Sequence, residues 1–583
     1  MTEYFEVHER DGAARLGELR LDSPRMTPAV VDDLLVDAGS EWVAGRAVPE
    51  GDDSALTVLP HRALPGGTPE EVQDAFAAEY PDVDFPSAAV VSPETATDHA
   101  TDAYVLSTAQ QMSGHAAAFV DAIIETRESI PSDTALYLPG VATPGNVATL
   151  AYAGVDLVDT GRAVTKGLQG KYLTTDGEEF LEDLRELPCA CSACQQSREA
   201  FDREDCAGHN ENILRAALGT VRERIRAGRL RDYIEGQARH EQWLTATVRR
   251  LDQQWGYLEE RTPVLRKNDI TASTDDTLRR VEIQRFAERV TGRYQCRFDR
   301  PLVLVPCSAK KPYSESQSHG QFHDAIQYRA HLVSMTSPIG VVPQELELTY
   351  PAQHYDTVVT GNWTATEIEF VSDVVVAYLQ RNEYPRIIAH VPGEGYREIC
   401  ERVEDQLGLD FEYTVEAHPT TGNSLSTLAG TLAGERKYRK RERQHNTLKA
   451  IADYQFGEGA GDAIFDELTV ESRYPKLRAQ SEDGKQLAML VPEYGLLALT
   501  IAGARRWVDS DAPVKRVEID NFVPHGSVLA PGVVDASDEI RVGDEVVIEG
   551  PRAFAIGRAE MSGPEMVEST RGRASSVRHV EEK

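Results

Sequence analysis

The stretch PLVLVPCSAKKPYSESQSHG, Pro301 to Gly320, decides how the second half of the chain is read. Four apolar residues, Leu302 to Val305, stop at Pro306; a short apolar run ended by a breaker reads as a buried strand. Cys307 comes next, followed by Lys310, Lys311, Tyr313, several serines and His319. A cysteine at a rigid strand end with that dense polar company reads as a working thiol more readily than as core filling. Similar apolar runs at IGVVP and RIIAHVPG, separated by helical patterns, make 291–430 an α/β domain. HVPGEGYREI, His390 to Ile399, follows one of those strands, and its glycines permit close backbone approach to the same cleft. Core and turn roles remain open for these residues and for YPAQHYDTVVTGNW, Tyr350 to Trp363, whose aromatics could stack on a base.

Working toward the N-terminus, the runs SALTVLP, SAAVVS, ALYLPGV and GVDLVDTG alternate with helical patterns such as DAYVLSTAQQMSGHAAAFVDAIIETRE. That alternation predicts parallel β/α units and a barrel-like first domain. A charged helical extension carries it to residue 290. Working toward the C-terminus, 431–513 reads as a small α+β domain, and 514–583, with short strands broken by Gly, Pro and Asp, as a small β-barrel. The expected fold class is therefore α/β multidomain. At 583 residues the chain is too long for one hydrophobic core.

Seven cysteines in a chain expected to be cytoplasmic are read as metal ligands, nucleophiles or small core residues, not as a disulfide framework. Cys189, Cys191 and Cys194 lie in one tight loop, and His209 follows. Three thiolates and an imidazole satisfy tetrahedral Zn²⁺, and a closed set of four implies a structural ion. Cys206 is an alternative fourth ligand.

Asp and Glu number 95 against 61 Lys and Arg, a formal net charge of -34 spread along the whole chain. That distribution suggests a surface adapted to a salt-rich cytoplasm. In molar salt the Debye length falls to about 3 Å, so acidity no longer argues against a nucleic-acid partner, which would be held by shape, stacking and hydrogen bonds. Arg436 to Arg443 is an exception to the acidity: six basic residues against Glu442, suited to phosphates if helical and equally readable as a solvated helix face. No apolar run approaches the roughly 20 residues of a membrane span, and the start is charged rather than a signal peptide.

The cysteine spacing, with YAGVDLVDTGRAVTKGLQGKYLT before it and HN after it, resembles the tRNA-guanine transglycosylase family over about the first 240 residues. The resemblance implies a zinc-bearing TIM barrel, and Asp159 matches the position of its nucleophile. Where that family has an Asp-Ser-Gly-Gly loop with a general base, the counterpart here is Leu64-Pro65-Gly66-Gly67. Leucine takes no proton, so the barrel is expected to bind tRNA rather than exchange a base. The C-terminal LAPGVVDASDEIRVGDEVVI, with AIGRAEMSG after it, resembles a PUA domain, an RNA-binding barrel.

The motif Pro306-Cys307-x-x-x-Lys311-Pro312-Tyr313-x-x-Ser316-x-x-His319 resembles the signature of the archaeosine synthase alpha-subunit family. What the resemblance implies is amine addition to the nitrile of 7-cyano-7-deazaguanine in the tRNA D-arm. The free amine donor is expected to be lysine, and a radical-SAM beta subunit to act on the adduct. Cys307 would attack the nitrile carbon, with Lys310, Lys311 and His319 lowering its pKa. His319 or Tyr313 would protonate the nitrile nitrogen, Ser316 and its neighbours would orient substrate, Glu394 would take a substrate ammonium, and Tyr396 would line the cleft. Phosphate contacts for the lysines, and a zinc role for Cys307 with His319, stand as alternatives. Ordinary base exchange and non-catalytic tRNA binding are the competing functions, and a homodimer is among the assemblies open to the chain.

Overall fold

The structure is a computed structural model that describes residues 3–37, 50–61, 68–75, 83–98, 101–357 and 362–583. The chain forms two compact units. One holds the residues up to Thr262 with 529–533 and 561–574; the other holds 263–528, 534–560 and 575–583. Among the described residues no helix is long and apolar enough to cross a membrane.

The first unit contains a seven-stranded sheet ordered Ala29–Val30, Leu157–Val158, Ala135–Leu138, Ala103–Leu106, Ser87–Val91, Leu56–Val58 and Leu35–Asp37. Every pairing in it is parallel. Laid flat, such a sheet would hold its edges about 29 Å apart at about 4.8 Å per strand. Residues 31–34 alone join the two edge strands and can span at most about 18 Å. The sheet therefore has to curl, and the join is tight: Leu34 N donates to the Val31 carbonyl at 2.9 Å. This is the expected TIM-barrel-like architecture. Leu56, Ala88, Ala103, Ala135 and Leu157 fill its interior together with Phe5 and Leu19 of the N-terminal hairpin.

One expectation changes here. The stretch from Asp102 to Glu128, read as helical, opens with a strand, Ala103–Leu106, and becomes the long helix only at Ala116–Ser129. All four strand residues are buried in mid-sheet, so tertiary pairing overrides the local pattern. The Leu64–Gly67 loop lies outside the described residues.

The helix Arg203–Arg226 starts cleanly because Asp202 accepts from the Glu204 and Asp205 amides while Asp205 bonds back to the Asp202 amide. It lies against the helix Gly161–Leu168 so closely that a Cβ on Gly167 would sit 2.4 Å from Ala207 Cα. That neighbour is backbone and cannot turn aside.

In the second unit a five-stranded sheet runs Gly340–Pro343, His331–Thr336, Leu302–Pro306, Ile387–Ala389, Phe411–Tyr413. All pairs are parallel except the hairpin of the first two. Leu302 to Val305 are fully buried at its centre. The helix Lys440–Phe456 and a four-stranded antiparallel sheet, Thr469–Glu471 to Leu496–Leu499, follow, and a six-stranded sheet ends the chain in the PUA-like part.

Gly167→Ala should destabilise the first unit by about 1–3 kcal/mol, the usual result of overpacking. A chemical-denaturation midpoint equal to that of the natural protein would mean that the two helices separate freely.

Candidate functional site

The Leu302–Pro306 strand is where the order of the parallel sheet reverses. The chain first adds His331–Thr336 on one side of it and later Ile387–Ala389 on the other. In open α/β sheets the loops leaving the carboxyl ends of strands at such a switch point part and form a crevice. Cys307 is the first residue after one of these strands, and the turn into the helix Gly395–Leu407 follows the other.

The two loops meet at sulfur: Cys307 Sγ lies 3.2 Å from Tyr396 Oη. Tyr396 is buried, packs edge-on against Trp363 at 4.7 Å between ring centroids, and burial beside Cys307 raises its phenol far above the ordinary range. It therefore keeps its proton and can donate to a thiolate. Gly395 permits the packing, since a Cβ there would come within 2.9 Å of the Trp363 ring.

Lys311 Nζ sits 3.8 Å from the Tyr355 ring centroid and, buried, makes no hydrogen bond among the described residues. Burial pulls its pKa down, and the nearby Cys307 acts in the opposite direction. Lys310 points out to solvent and pairs with Glu315 at 3.2 Å. Tyr313 is buried in a phenol chain, its Oη 2.6 Å from Tyr355 Oη, which lies 2.7 Å from Thr336 Oγ1. Burial raises the Tyr313 phenol out of reach of neutral pH. Ser316 is buried and bonds Ser308 Oγ at 2.7 Å and Ser318 Oγ at 2.9 Å. Glu394 is exposed at the start of the Gly395–Leu407 helix.

His319 does not suit the role of general acid. Its ring is buried, stacks on Tyr313 at 4.7 Å, and its Nε2 donates to the Pro306 carbonyl at 3.1 Å. Burial, with His323 adding to it, lowers its pKa to about 4. A neutral ring whose one N–H holds a carbonyl braces the strand end behind Cys307 and offers neither a proton nor a positive charge. Ser308 was missed by sequence reasoning, although its place beside Cys307 in the motif was a signal.

In the first unit, Cys189, Cys191, Cys194 and His209 bring their ligand atoms within 4.8 Å of one another, a set able to hold a metal ion. His209 Nε2 donates to the Leu173 carbonyl at 2.9 Å, which leaves the Nδ1 lone pair facing Cys194 Sγ at 3.3 Å and Cys191 Sγ at 3.5 Å. That is the orientation an outer-shell bond gives to a ligating imidazole. Cys206 is not in the set: it is fully buried, and burial pushes its thiol up to about 11. Among the described residues no metal-ligand group includes Cys307 or His319. Asp159, at a strand end of the barrel, accepts from Tyr137 Oη at 3.0 Å, Gly161 N at 2.8 Å and the Gly140 amide.

Similarity to known proteins divides along these regions. Residues 65–242 match the queuine tRNA-ribosyltransferase model, 283–432 a domain of unknown function, 446–513 the patch-forming domain C2 of tRNA-guanine transglycosylase, and 515–580 the PUA domain. The chain is 64% identical to an archaeosine synthase of Haloferax volcanii over 100% of both chains. The chain belongs to the archaeosine synthase family. It is 42% identical to the archaeosine synthase subunit alpha of Methanosarcina acetivorans, again over 100% of each chain. With an archaeosine synthase of Methanocaldococcus jannaschii it shares 30% identity over 79% of this chain and 76% of that one. In this family member the Cys307 loop falls within the region whose matching model carries no assigned function.

The depressed pKa of His319 has a measurable sign. The unfolded imidazole, at 6.5, takes up its proton before the folded one does at about 4. Stability from this group is therefore lost as pH falls from about 6.5 toward about 4, by up to about 3 kcal/mol at 1.36 kcal/mol per pH unit. His319→Gln should have a shallower fall of unfolding free energy between pH 7 and pH 4.5. Parallel pH profiles for the two proteins would show that His319 titrates normally.

Proposed function

We propose that this chain is a tRNA-modifying transferase of archaeosine biosynthesis, and that its chemistry is addition of an amine across the nitrile of 7-cyano-7-deazaguanine already present in tRNA. Family membership supports the pathway. The observation that carries the chemistry is the Cys307 sulfur within 3.2 Å of the Tyr396 hydroxyl, where the parallel strands part.

A nitrile carbon is a modest electrophile and needs a strong nucleophile. The Cys307 thiolate attacks it, one C–N π bond opens, and the nitrogen takes a proton, leaving a thioimidate on the enzyme. Tyr396 is the proton source we favour: its hydroxyl lies 3.2 Å from the sulfur, and it holds its proton at neutral pH. An amine then adds to the thioimidate carbon, and collapse expels the thiolate and leaves an amidine, so the cysteine is regenerated. Lysine is the donor we favour, with the exposed Glu394 carboxylate available to its ammonium. Trp363 beside Tyr396 supplies a ring face for the base.

The PUA-like C-terminal part and the Arg436–Arg443 cations support tRNA binding. The barrel would act as a binding platform, since the Asp159 carboxylate is already engaged by three donors. The name subunit alpha, carried by relatives such as that of Methanosarcina acetivorans, supports a partner subunit; we assign to it a radical-SAM reaction on the adduct. Zn²⁺ suits the Cys189, Cys191, Cys194 and His209 set, because three soft thiolates and one imidazole leave no open position. The ion would be structural.

Cys307→Ser should bind nitrile-bearing tRNA normally and yield no amine adduct, because a serine hydroxyl is scarcely ionised at neutral pH. With the amine withheld, the natural protein should accumulate a covalent protein–tRNA species that added thiol or amine releases. Tyr396→Phe should retain sulfur attack but lose about 10²-fold in rate, a typical general-acid effect. Near-normal turnover of Cys307→Ser would sink the covalent route. Separately, a strong chelator should remove about one zinc per chain and lower the melting temperature of the first unit; unchanged melting after metal loss would exclude a structural ion.

A further inference from the structure

A second cysteine lies at the other end of the same sheet. Cys307 follows the carboxyl end of the Leu302–Pro306 strand, whereas His331 pairs with Leu302 at the beginning of that strand. Tyr384 Oη at 3.2 Å and Phe298 N at 3.4 Å donate to Cys296 Sγ there, while His331 Nδ1 and the Phe298 carbonyl oxygen each lie 3.6 Å from it. His331 Nε2 lies 2.9 Å from Glu345 Oε2, and the other Glu345 oxygen accepts from Tyr294 Oη at 3.0 Å.

The protons in this cluster can be placed. His331 is 0% exposed and Glu345 2% exposed. A buried carboxylate needs a counter-charge, and His331 is the cation in contact with it. An imidazolium carries a proton on both nitrogens. Nε2 gives one to Glu345, and Nδ1 gives the other to the Tyr384 oxygen at 2.8 Å. The Tyr384 hydroxyl is placed to donate to sulfur at 3.2 Å, and its oxygen also lies 2.7 Å from Tyr378 Oη. The chain of donors thus ends on Cys296, the arrangement that favours a thiolate. Glu345 first among the attractions, and Cys296 with it, overcome burial to lift His331 to about 10. For Cys296 burial acts upward, but His331 brings the thiol below its ordinary value. Tyr294, Tyr378 and Tyr438 are the other titratable groups around it, and the neighbouring Arg297 is committed to Asp453 and Asp462.

We propose that Cys296 is a second reactive thiolate of this domain, separate from the Cys307 crevice, and a modification site for hydroperoxides and other small soft electrophiles. The residue is half-buried, whereas Cys400 is fully buried. With a hydroperoxide, sulfur attacks one peroxide oxygen, an S–O bond forms and the O–O bond breaks. The leaving hydroxide or alkoxide takes a proton from solvent; sulfur is oxidised by two electrons to a sulfenic acid as the peroxide is reduced. Sulfenic acid carries no negative charge, so the ion pair with His331 is lost.

The test uses the full-length protein at several pH values, brief iodoacetamide treatment, and mass mapping of cysteine peptides, with a parallel hydrogen peroxide and dimedone arm. Cys296 and Cys307 fall on different tryptic peptides, so this result stands apart from the nitrile chemistry. Cys296 should alkylate at pH 7 at least about tenfold faster than the fully buried Cys400, with a rate midpoint below the free-thiol value of about 8.5, and should yield the dimedone adduct after peroxide. Tyr384→Phe keeps the ring and removes the hydroxyl; it should move the midpoint up by about one pH unit, which lost packing alone would not do. His331→Gln should move it further. A Cys296 that reacts no faster than Cys400, or a midpoint near 8.5 in the natural protein, would overturn the proposal.

Discussion

The Leu302–Pro306 strand leaves no side of itself to solvent, and the rest of the second unit is arranged around that fact. Its two edges are paired with His331–Thr336 and Ile387–Ala389. Its two faces feed different cores: Leu302 and Leu304 pack with Met335 and Val375, while Val303 and Val305 pack with Phe322, Ile388 and Leu428. Because both faces are apolar, alternation cannot set the register of this strand. Its end sets it instead: Pro306 offers its carbonyl to His319, and the chain must leave the sheet at Cys307. A thiol placed there inherits the rigidity of the strand.

Around that thiol the protein removes competing charges. His319 is neutral, the Tyr313 and Tyr396 phenols are held protonated, and the Lys311 ammonium is weakened by burial. In such surroundings a charge on sulfur is poorly screened, and the donors that remain, above all the Tyr396 hydroxyl, act on it at close range. The nitrile proposed as substrate would bring no charge of its own to this site. The charge developing on its nitrogen would be the one the Tyr396 proton meets, so a neutral pocket with one well-placed donor would suit such a substrate better than a cluster of cations.

Much of this was legible in the residues. LVLV ended by proline announced a buried strand, GVDLVDTG and its companions announced the barrel, and the Cys189, Cys191, Cys194 spacing announced a metal set. The strand His331–Thr336 was not legible, since HLVSMT mixes polar and apolar residues without alternation, yet all six are buried. Its histidine is interior because Glu345 and Tyr384 supply its partners, and these come later in the sequence. The role of His319 was misjudged for a related reason. A histidine twelve residues after a cysteine looks available until the fold stacks it on Tyr313 and assigns its N–H to a carbonyl. Likewise, Cys206 stood as an alternative to His209 for the fourth ligand on paper. They differ only when the helix Arg203–Arg226 turns one toward the thiols and the other into the core.

The two free thiols at opposite ends of one parallel sheet show how context divides a residue type. Cys307 stands where loops part, a place the topology opens to a large substrate, and its first contact is a neutral phenol. Cys296 stands where strands begin, closed on one side by the stacked Phe298 and His331 rings, and it is coupled to a buried carboxylate through His331. A charge pair of that kind is costly to bury, and its desolvation penalty can match its attraction. Replacing Cys296, His331 and Glu345 by apolar residues of similar volume should therefore cost the fold little beyond the acceptor lost by the buried Tyr294 hydroxyl. Their presence together is better accounted for by the reactivity they confer on sulfur than by stability, and on that ground the cluster is read as a site.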